Sequence, residues 1–458
     1  MKIIGHIVGI NGQVAQVEFK ENFPKLHELL VLEKNPHIQF EVYSSSQNHR
    51  FYCFILVDSS EIKQGDKVIG TGECLQIAVG KKILGKAIDI FGTAHNDPTW
   101  QADAFRPIFS DSFLPLEDVQ LHTKLMMTGI KALDFFSPML AGGKMGLFGG
   151  AGVGKTILLT ELMNNVVVKN HHQTKNDFVS VFGAVGERSR EAQELIESLQ
   201  DAKVLDKTAI IIGQMGENPS IRFRTAFAAA RVAEYFRDEQ QTDVLFFLDN
   251  MYRFAQAGYE LSTLMHQIPS EDGYQPTLPS EIGELHERLS SSHQASISSI
   301  EAIFVPSDDL SDYAIKTSFS YFDTTVVLSR DIYQQGRYPA IDILQSNSVA
   351  LNPEIVGEKH YELFLASKKT LETARSLDRI VSLIGEEELS PSDRATYKRA
   401  QLIKNYMTQK FHVVAQQTNQ PGDFIKLNQV LDDMEQILAG KYDDLAPEKF
   451  LYIAAIET

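Results

Sequence analysis

A chain of 458 residues is too long for one ordinary domain and points to roughly two to four. With 43% hydrophobic and 22% charged residues it has the balance of a soluble globular protein, and no apolar run approaches the ~18 residues that cross a bilayer. A formal charge of −17 argues against a chain that wraps nucleic acid, although binding a single nucleotide needs only a few local donors. Cys53 and Cys74 offer neither a disulfide framework nor metal-ligand spacing, and read as core or surface thiols.

The start, MKIIGHIVGINGQVAQVEF, is interrupted by Gly5, His6, Gly9 and Asn11, which breaks any signal-peptide core. It reads as strand-forming sequence of a cytoplasmic protein that touches membrane only through partners. Residues 1–76 contain short β-branched and aromatic runs such as IIGHIVGI, QVAQVEF, IQFEVY and FYCFILVD, separated by Asn, Gly and Ser, which predicts a small barrel or sandwich. From 77 to 350, apolar runs (KMGLFG, DFVSVFGAV, TAIIIG, DVLFFLD, SIEAIFVP, TTVVLS) alternate with helical stretches such as SREAQELIESLQDAK and IRFRTAFAAARVAEYFRDEQ. That alternation predicts a parallel sheet covered on both faces. Residues 351–458 show helical periodicity in EKHYELFLASKKTLETARSLDRIVSLI, SDRATYKRAQLIKNYMTQKFHVVAQQ and FIKLNQVLDDMEQILAG, predicting a C-terminal helical domain.

The strongest local signal is Gly149-Gly150-Ala151-Gly152-Val153-Gly154-Lys155-Thr156, which fits G-x-x-x-x-G-K-[ST] between a strand-like MGLFG and a helix-like KTILLTELMNNVV that includes Ile157. Glycines let the backbone curl so that successive N–H groups face phosphate oxygens. Lys155 then reaches the β- and γ-phosphates, and the Thr156 hydroxyl ligates Mg²⁺. Asp249 ends the buried-strand pattern VLFFLD. It reads either as a helix cap or, beside the phosphate loop, as the acid that holds the water shell of the metal. Glu187 and Arg188 follow the strand DFVSVF. Two readings stand for them: an exposed ion-paired turn, or a base for the attacking water with a cation for the γ-phosphate.

Five ordered motifs, GGKMGLFGGAGVGKT, GAVGERSRE, LFFLDNMYRFAQAG, IPSEDGYQPTL and VLSRDIYQQGRYPAID, resemble the beta subunits of F-type ATP synthases. The resemblance extends through VGKKILGKAIDIFG, TGIKALD and the helical region, and is weakest in residues 1–76. It implies a three-domain α/β subunit with an N-terminal β-barrel, a central P-loop (RecA-like) domain and a C-terminal helical bundle. It also implies a 3+3 hexamer with a non-catalytic alpha-type subunit around a gamma-like shaft, running on MgATP. By the same resemblance Glu187 is the catalytic carboxylate, Arg188 a γ-phosphate ligand, Asp249 the magnesium-side acid, Arg253 an arginine beside the phosphates, and Tyr338 the aromatic that stacks on adenine, with Phe411 a second pocket aromatic. Alpha subunits of the family carry Gln in place of Glu187, so the resemblance implies the hydrolysing type.

The departures bear on the same questions. PAIDILQSNSV replaces a family segment resembling PAVDPLDSTSR, with Val349 at the Arg position, so a partner subunit is expected to supply an arginine finger. Gln417 stands where a further adenine-pocket aromatic is expected, which implies looser base selectivity. Glu387 to Asp393, EELSPSD, replaces an acidic shaft-contacting DELSEED, and Pro306 to Ile315 lacks two prolines of PADDLTDPAP. These changes favour a specialised hydrolysis-driven relative, of the kind that in some wall-less bacteria is linked to gliding motility or surface protein processing. Alternative readings are a homohexameric protein-export ATPase, an RNA translocase, and a non-enzymatic nucleotide-binding subunit.

Overall fold

The structure, a computed structural model, describes residues 3–47, 49–57, 60–109, 114–120, 123–169, 178–270, 272–415 and 419–456. The N-terminal strands close into a barrel in the order Ile4–Asn11, Val14–Phe19, Arg50–Ile55, Asn35–Gln47, Glu28–Leu32 and Lys67–Cys74, every pair antiparallel. Alternating residues fill it: Val17, Phe19, Leu30, Leu32, Phe40, Val42, Cys53 and Val68 are buried. Of the two architectures open to the sequence, the barrel is the one formed, and closure leaves no strand edge unpaired. Neither Cys53, buried in its core, nor Cys74 is in a disulfide.

The central domain holds an eight-stranded sheet. Its order is Asn347–Ser348, Thr324–Val327, Lys144–Gly149, Ile297–Phe304, Asp243–Asp249, Phe178–Glu187, Thr208–Gln214 and Ala87–Ile88, parallel except for the first strand. The continuous apolar runs follow from burial on both faces. In Asp243–Asp249, Phe246 and Leu248 pack with the helices Pro219–Asp238, Met251–Leu264 and Leu278–Arg288, whereas Leu245 and Phe247 pack against Leu158, Leu162 and Leu195 on the opposite face. Parallel strands send their carboxyl ends to one edge, and the candidate site lies there.

The C-terminal region is helical. Glu358–Ile384, Pro391–Tyr406 and Leu427–Leu438 bury Leu371, Ala374, Leu402, Ile403, Tyr406, Val430 and Met434 against one face of the central domain. The helical periodicity expected to run on through Phe411 does not hold: the helix stops at Tyr406, and a short turn, His412–Val414, follows Phe411. Tertiary hydrogen bonds outcompete the helix there. The Gln409 amide donates to the Gly129 and Asp423 carbonyls, both at 2.7 Å, and accepts from the Lys131 N–H at 2.9 Å. Gln417 lies outside the described residues. Among the described residues no helix is long and apolar enough to cross a membrane.

Candidate active site

Strand Lys144–Gly149, flanked by two parallel neighbours, delivers the chain into the glycine loop, and helix Lys155–Met163 leaves it. Gly152 and Gly154 adopt left-handed φ values of +74° and +93°, and a side chain on either would meet only open space. Glycine is needed at both positions for backbone freedom, and the concavity so made matches the cradle that curls N–H groups around phosphate. Lys155 Nζ donates to the Gly149 and Gly150 carbonyls at 2.6 and 2.5 Å. Burial pushes its ammonium down to about 8, opposed by the charges of Asp249, Asp308 and Glu187. Val153 is buried, and Ala151, Thr156 and Ile157 are exposed.

A second group assembles from strand ends. Asp249, the last residue of its strand, stands in register with Ala184 and Ala302. Together with Thr156, Glu187 and Glu191 it lines a cavity of about 600 Å³. Burial pushes the Asp249 carboxyl up to about 6 against the pull of Lys155 and Arg253. The ladder shifts register between Val185 and Glu187, where Gly186 has φ +66°. A Cβ on Gly186 would lie 3.0 Å from Arg253 Cδ, so glycine both makes this turn and admits the arginine. Glu187 Oε1 is 3.5 Å from Arg253 Nε. Burial first, then a hydrogen bond with Glu191 and the charge of Asp249, holds the Glu187 carboxyl well above the ordinary range, while Arg253 pulls it back. Arg253 is set in the first turn of helix Met251–Leu264, which Asn250 caps.

Arg188 is not drawn into this cavity. It precedes helix Ser189–Asp201 with an exposed side chain, and Glu191 is 3.9 Å away. On the other side of the phosphate loop, Tyr338 and Phe411 line a cavity of about 450 Å³ with Val153, Gly154 and Ile157, so residues scattered through the sequence converge on one mostly apolar hollow. Tyr333 and Tyr452 join them, and sequence reasoning missed both. Tyr333 meets Tyr338 edge to face at 5.1 Å, and the Tyr452 hydroxyl accepts from the Tyr338 N–H at 3.2 Å and donates to the Gly336 carbonyl. The expected pocket position Gln417 lies outside the described residues, and Val349 is exposed on the surface.

A glycine cradle at the carboxyl edge of a parallel sheet, with a lysine beneath it and carboxyls beside it, defines a phosphate-loop ATPase domain. Residues 129–348 match the nucleotide-binding domain of the ATP synthase alpha/beta family, and residues 350–436 match the C-terminal domain of V and A type ATP synthase. The chain belongs to the ATP synthase alpha/beta family and is an alpha/beta-type subunit of a rotary ATPase, built to work with partner subunits.

Proposed function

We propose that this chain is the catalytic, beta-type subunit of an F-type-like rotary ATPase, hydrolysing MgATP beside an alpha-type subunit to turn a central shaft. The observation that carries the reading is Glu187: a carboxyl, where an amide could not accept a proton, gathered with Thr156 and Asp249 on one cavity and paired with Arg253. The F-type assignment rests on the five ordered motifs, while the helical region matches the domain described for V and A types. We place the domain boundaries at residues 76 and 350.

The donor set fits Mg²⁺, a hard cation that keeps several waters and takes few protein oxygens. Thr156, Asp249 and Glu187 present oxygens to one cavity, and among the described residues no group of three or more His, Cys, Asp or Glu forms an all-protein cage. When bound, Mg²⁺ neutralises charge on the β- and γ-phosphates. In this scheme Thr156 would hold the ion, and Asp249 and Glu187 would orient its waters. Lys155 exchanges its loop carbonyls for phosphate oxygens. Glu187 accepts the proton of the attacking water in its ionised form, which Arg253 favours against burial, and Arg188, exposed beside the cavity, turns inward to balance the charge. Tyr338, Phe411 and Ile157 hold the base. The alpha-type partner supplies an arginine finger, since Val349 offers none, and the altered segments at Pro306–Ile315 and Glu387–Asp393 support a hydrolysis-driven motor.

The test is Mg²⁺-dependent turnover by the chain alone and by complexes purified with it. Turnover confined to the complex supports the heteromeric reading. Full activity of the isolated chain supports a homohexameric export-type ATPase instead.

A further inference from the structure

We propose that Arg330, oriented by Asp308, is a positioning residue for the phosphate loop, acting through the carbonyl of Ala151. The proposal rests on the nucleotide-binding reading and deepens it by naming what sets the loop.

The phosphate-loop strand lies between Ile297–Phe304 and Thr324–Val327. Asp308 follows the first of these neighbours, in the turn Pro306–Asp308, and Arg330 follows the second, at the start of Arg330–Gln334. Their side chains meet across the loop. Arg330 Nε donates to Asp308 Oδ2 at 2.8 Å, and Arg330 Nη2 donates to the Ala151 carbonyl at 3.1 Å. Gly150 passes directly beneath: a Cβ there would overlap the Asp308 carboxylate and come 2.7 Å from Arg330 Nη2. Ser307 and Asp308 both hold left-handed φ, +54° and +57°, a conformation uncommon outside glycine, so the turn presents this carboxylate at a conformational cost.

The consequence lies one atom group further on. A trans peptide is planar, with its C=O and N–H pointing in opposite directions. Holding the Ala151 carbonyl therefore aims the Gly152 N–H away from Arg330. Gly152, with φ +74° and open space where a Cβ would lie, leaves the loop free to rotate this peptide plane unless something holds it. Lys155 occupies the two preceding carbonyls, Gly149 and Gly150, but must release them to reach phosphate. Arg330 has no such second duty. It stays on Ala151 and keeps the cradle's N–H direction set while nucleotide enters.

Arg330 and Asp308 are both partly exposed, with side-chain exposures of 44% and 42%, so their pairing adds little to fold stability and its loss should register in phosphate recognition. The experiment uses the complex with its partner subunits and compares Arg330→Ala, Arg330→Lys, Asp308→Asn and the Arg330→Ala/Asp308→Asn double variant, with Lys155→Ala as a control on the nucleotide site. MgATP binding, KM, kcat and thermal unfolding are measured. Arg330→Ala should raise KM about tenfold with kcat and the unfolding midpoint nearly unchanged, as expected for loss of a charge-assisted hydrogen bond. Arg330→Lys should recover part, because one ammonium cannot hold both partners. The double variant should be no worse than Arg330→Ala alone, since the two act as a unit. A KM for Arg330→Ala within about twofold of wild type, while Lys155→Ala abolishes binding, would overturn the proposal and leave the nucleotide site standing. A fall in the unfolding midpoint with KM and kcat worsening together would also overturn it. A wild-type complex that bound no MgATP would overturn the proposal and the nucleotide reading together.

Discussion

Arg224 and Glu41 form a buried bidentate pair, with Nε and Nη2 each 2.7 Å from one carboxylate oxygen. Arg224 belongs to helix Pro219–Asp238 and Glu41 to the barrel strand Asn35–Gln47, so the pair pins the barrel to the central domain. Rings of Phe109 and Phe54 flank the guanidinium at 4.7 and 5.3 Å, and His27 Nδ1 lies 2.8 Å from Glu41. Removing one partner leaves an uncompensated buried charge, so Glu41→Gln should destabilise the protein by about 3–5 kcal/mol. Burial alone would raise the Glu41 carboxyl, but Arg224 and His27 hold it below its ordinary value. Stability from this group is therefore complete above the ordinary carboxylate range and is lost as pH falls through the lowered folded value. Urea unfolding of wild type and Glu41→Gln at neutral and acid pH checks both points; the variant should be weaker at neutral pH and lose less on acidification.

Lys155 makes nucleotide affinity depend on alkali. Its ammonium is pushed down to about 8 before phosphate arrives, and phosphate favours the charged form. Binding above that pH must take up a proton, so affinity should fall as pH rises through about 8. Lys155→Arg, which stays charged, should bind without this dependence. Titration of a fluorescent ATP analogue at a series of pH values measures it.

Asp249 sets an acid limb. Burial raises its carboxyl to about 6, and only the carboxylate can order a metal's water shell. For the free enzyme kcat/KM should therefore fall below that pH, by about tenfold per unit. Asp249→Asn should lower kcat/KM throughout and leave an acid limb set by Glu187 alone, whose carboxyl is also held above its ordinary range.

The base cavity separates two tyrosines by role. Tyr338→Ala removes the stacking face and should raise the KM for ATP about tenfold, since stacking of a base on an aromatic is worth about 1–3 kcal/mol. Tyr452→Phe keeps the ring but loses the bonds to the Tyr338 N–H and the Gly336 carbonyl. Its smaller effect should be shared by ATP and GTP, which steady-state kinetics with both nucleotides would show.

Much of this architecture is legible locally. Glu358–Ile384 coincides with the periodic segment read as its helix, and DVLFFLD is one strand because its alternate residues serve two buried faces. The phosphate loop is legible because its glycines and lysine are contiguous. What escapes is whatever depends on meeting across the fold. Tyr452 reaches Tyr338 from the C-terminal end of the chain, and no spacing announces it. Arg330 lies within a recognised motif, yet its role is visible only once Asp308 and Ala151 are brought to either side of it. The stop at Tyr406 is set by the Gln409 bonds to Gly129 and Asp423, which outweigh a helical pattern.

The most direct measurement is MgATP binding and turnover by Glu187→Gln in the complex with its partner subunits. The carboxyl lies 3.5 Å from Arg253 and shares its cavity with Thr156 and Asp249, so it is placed to take a proton from water. Loss of a positioned base should reduce turnover by about 10²–10⁴-fold while MgATP still binds. Turnover by Glu187→Gln at the wild-type rate would contradict the account.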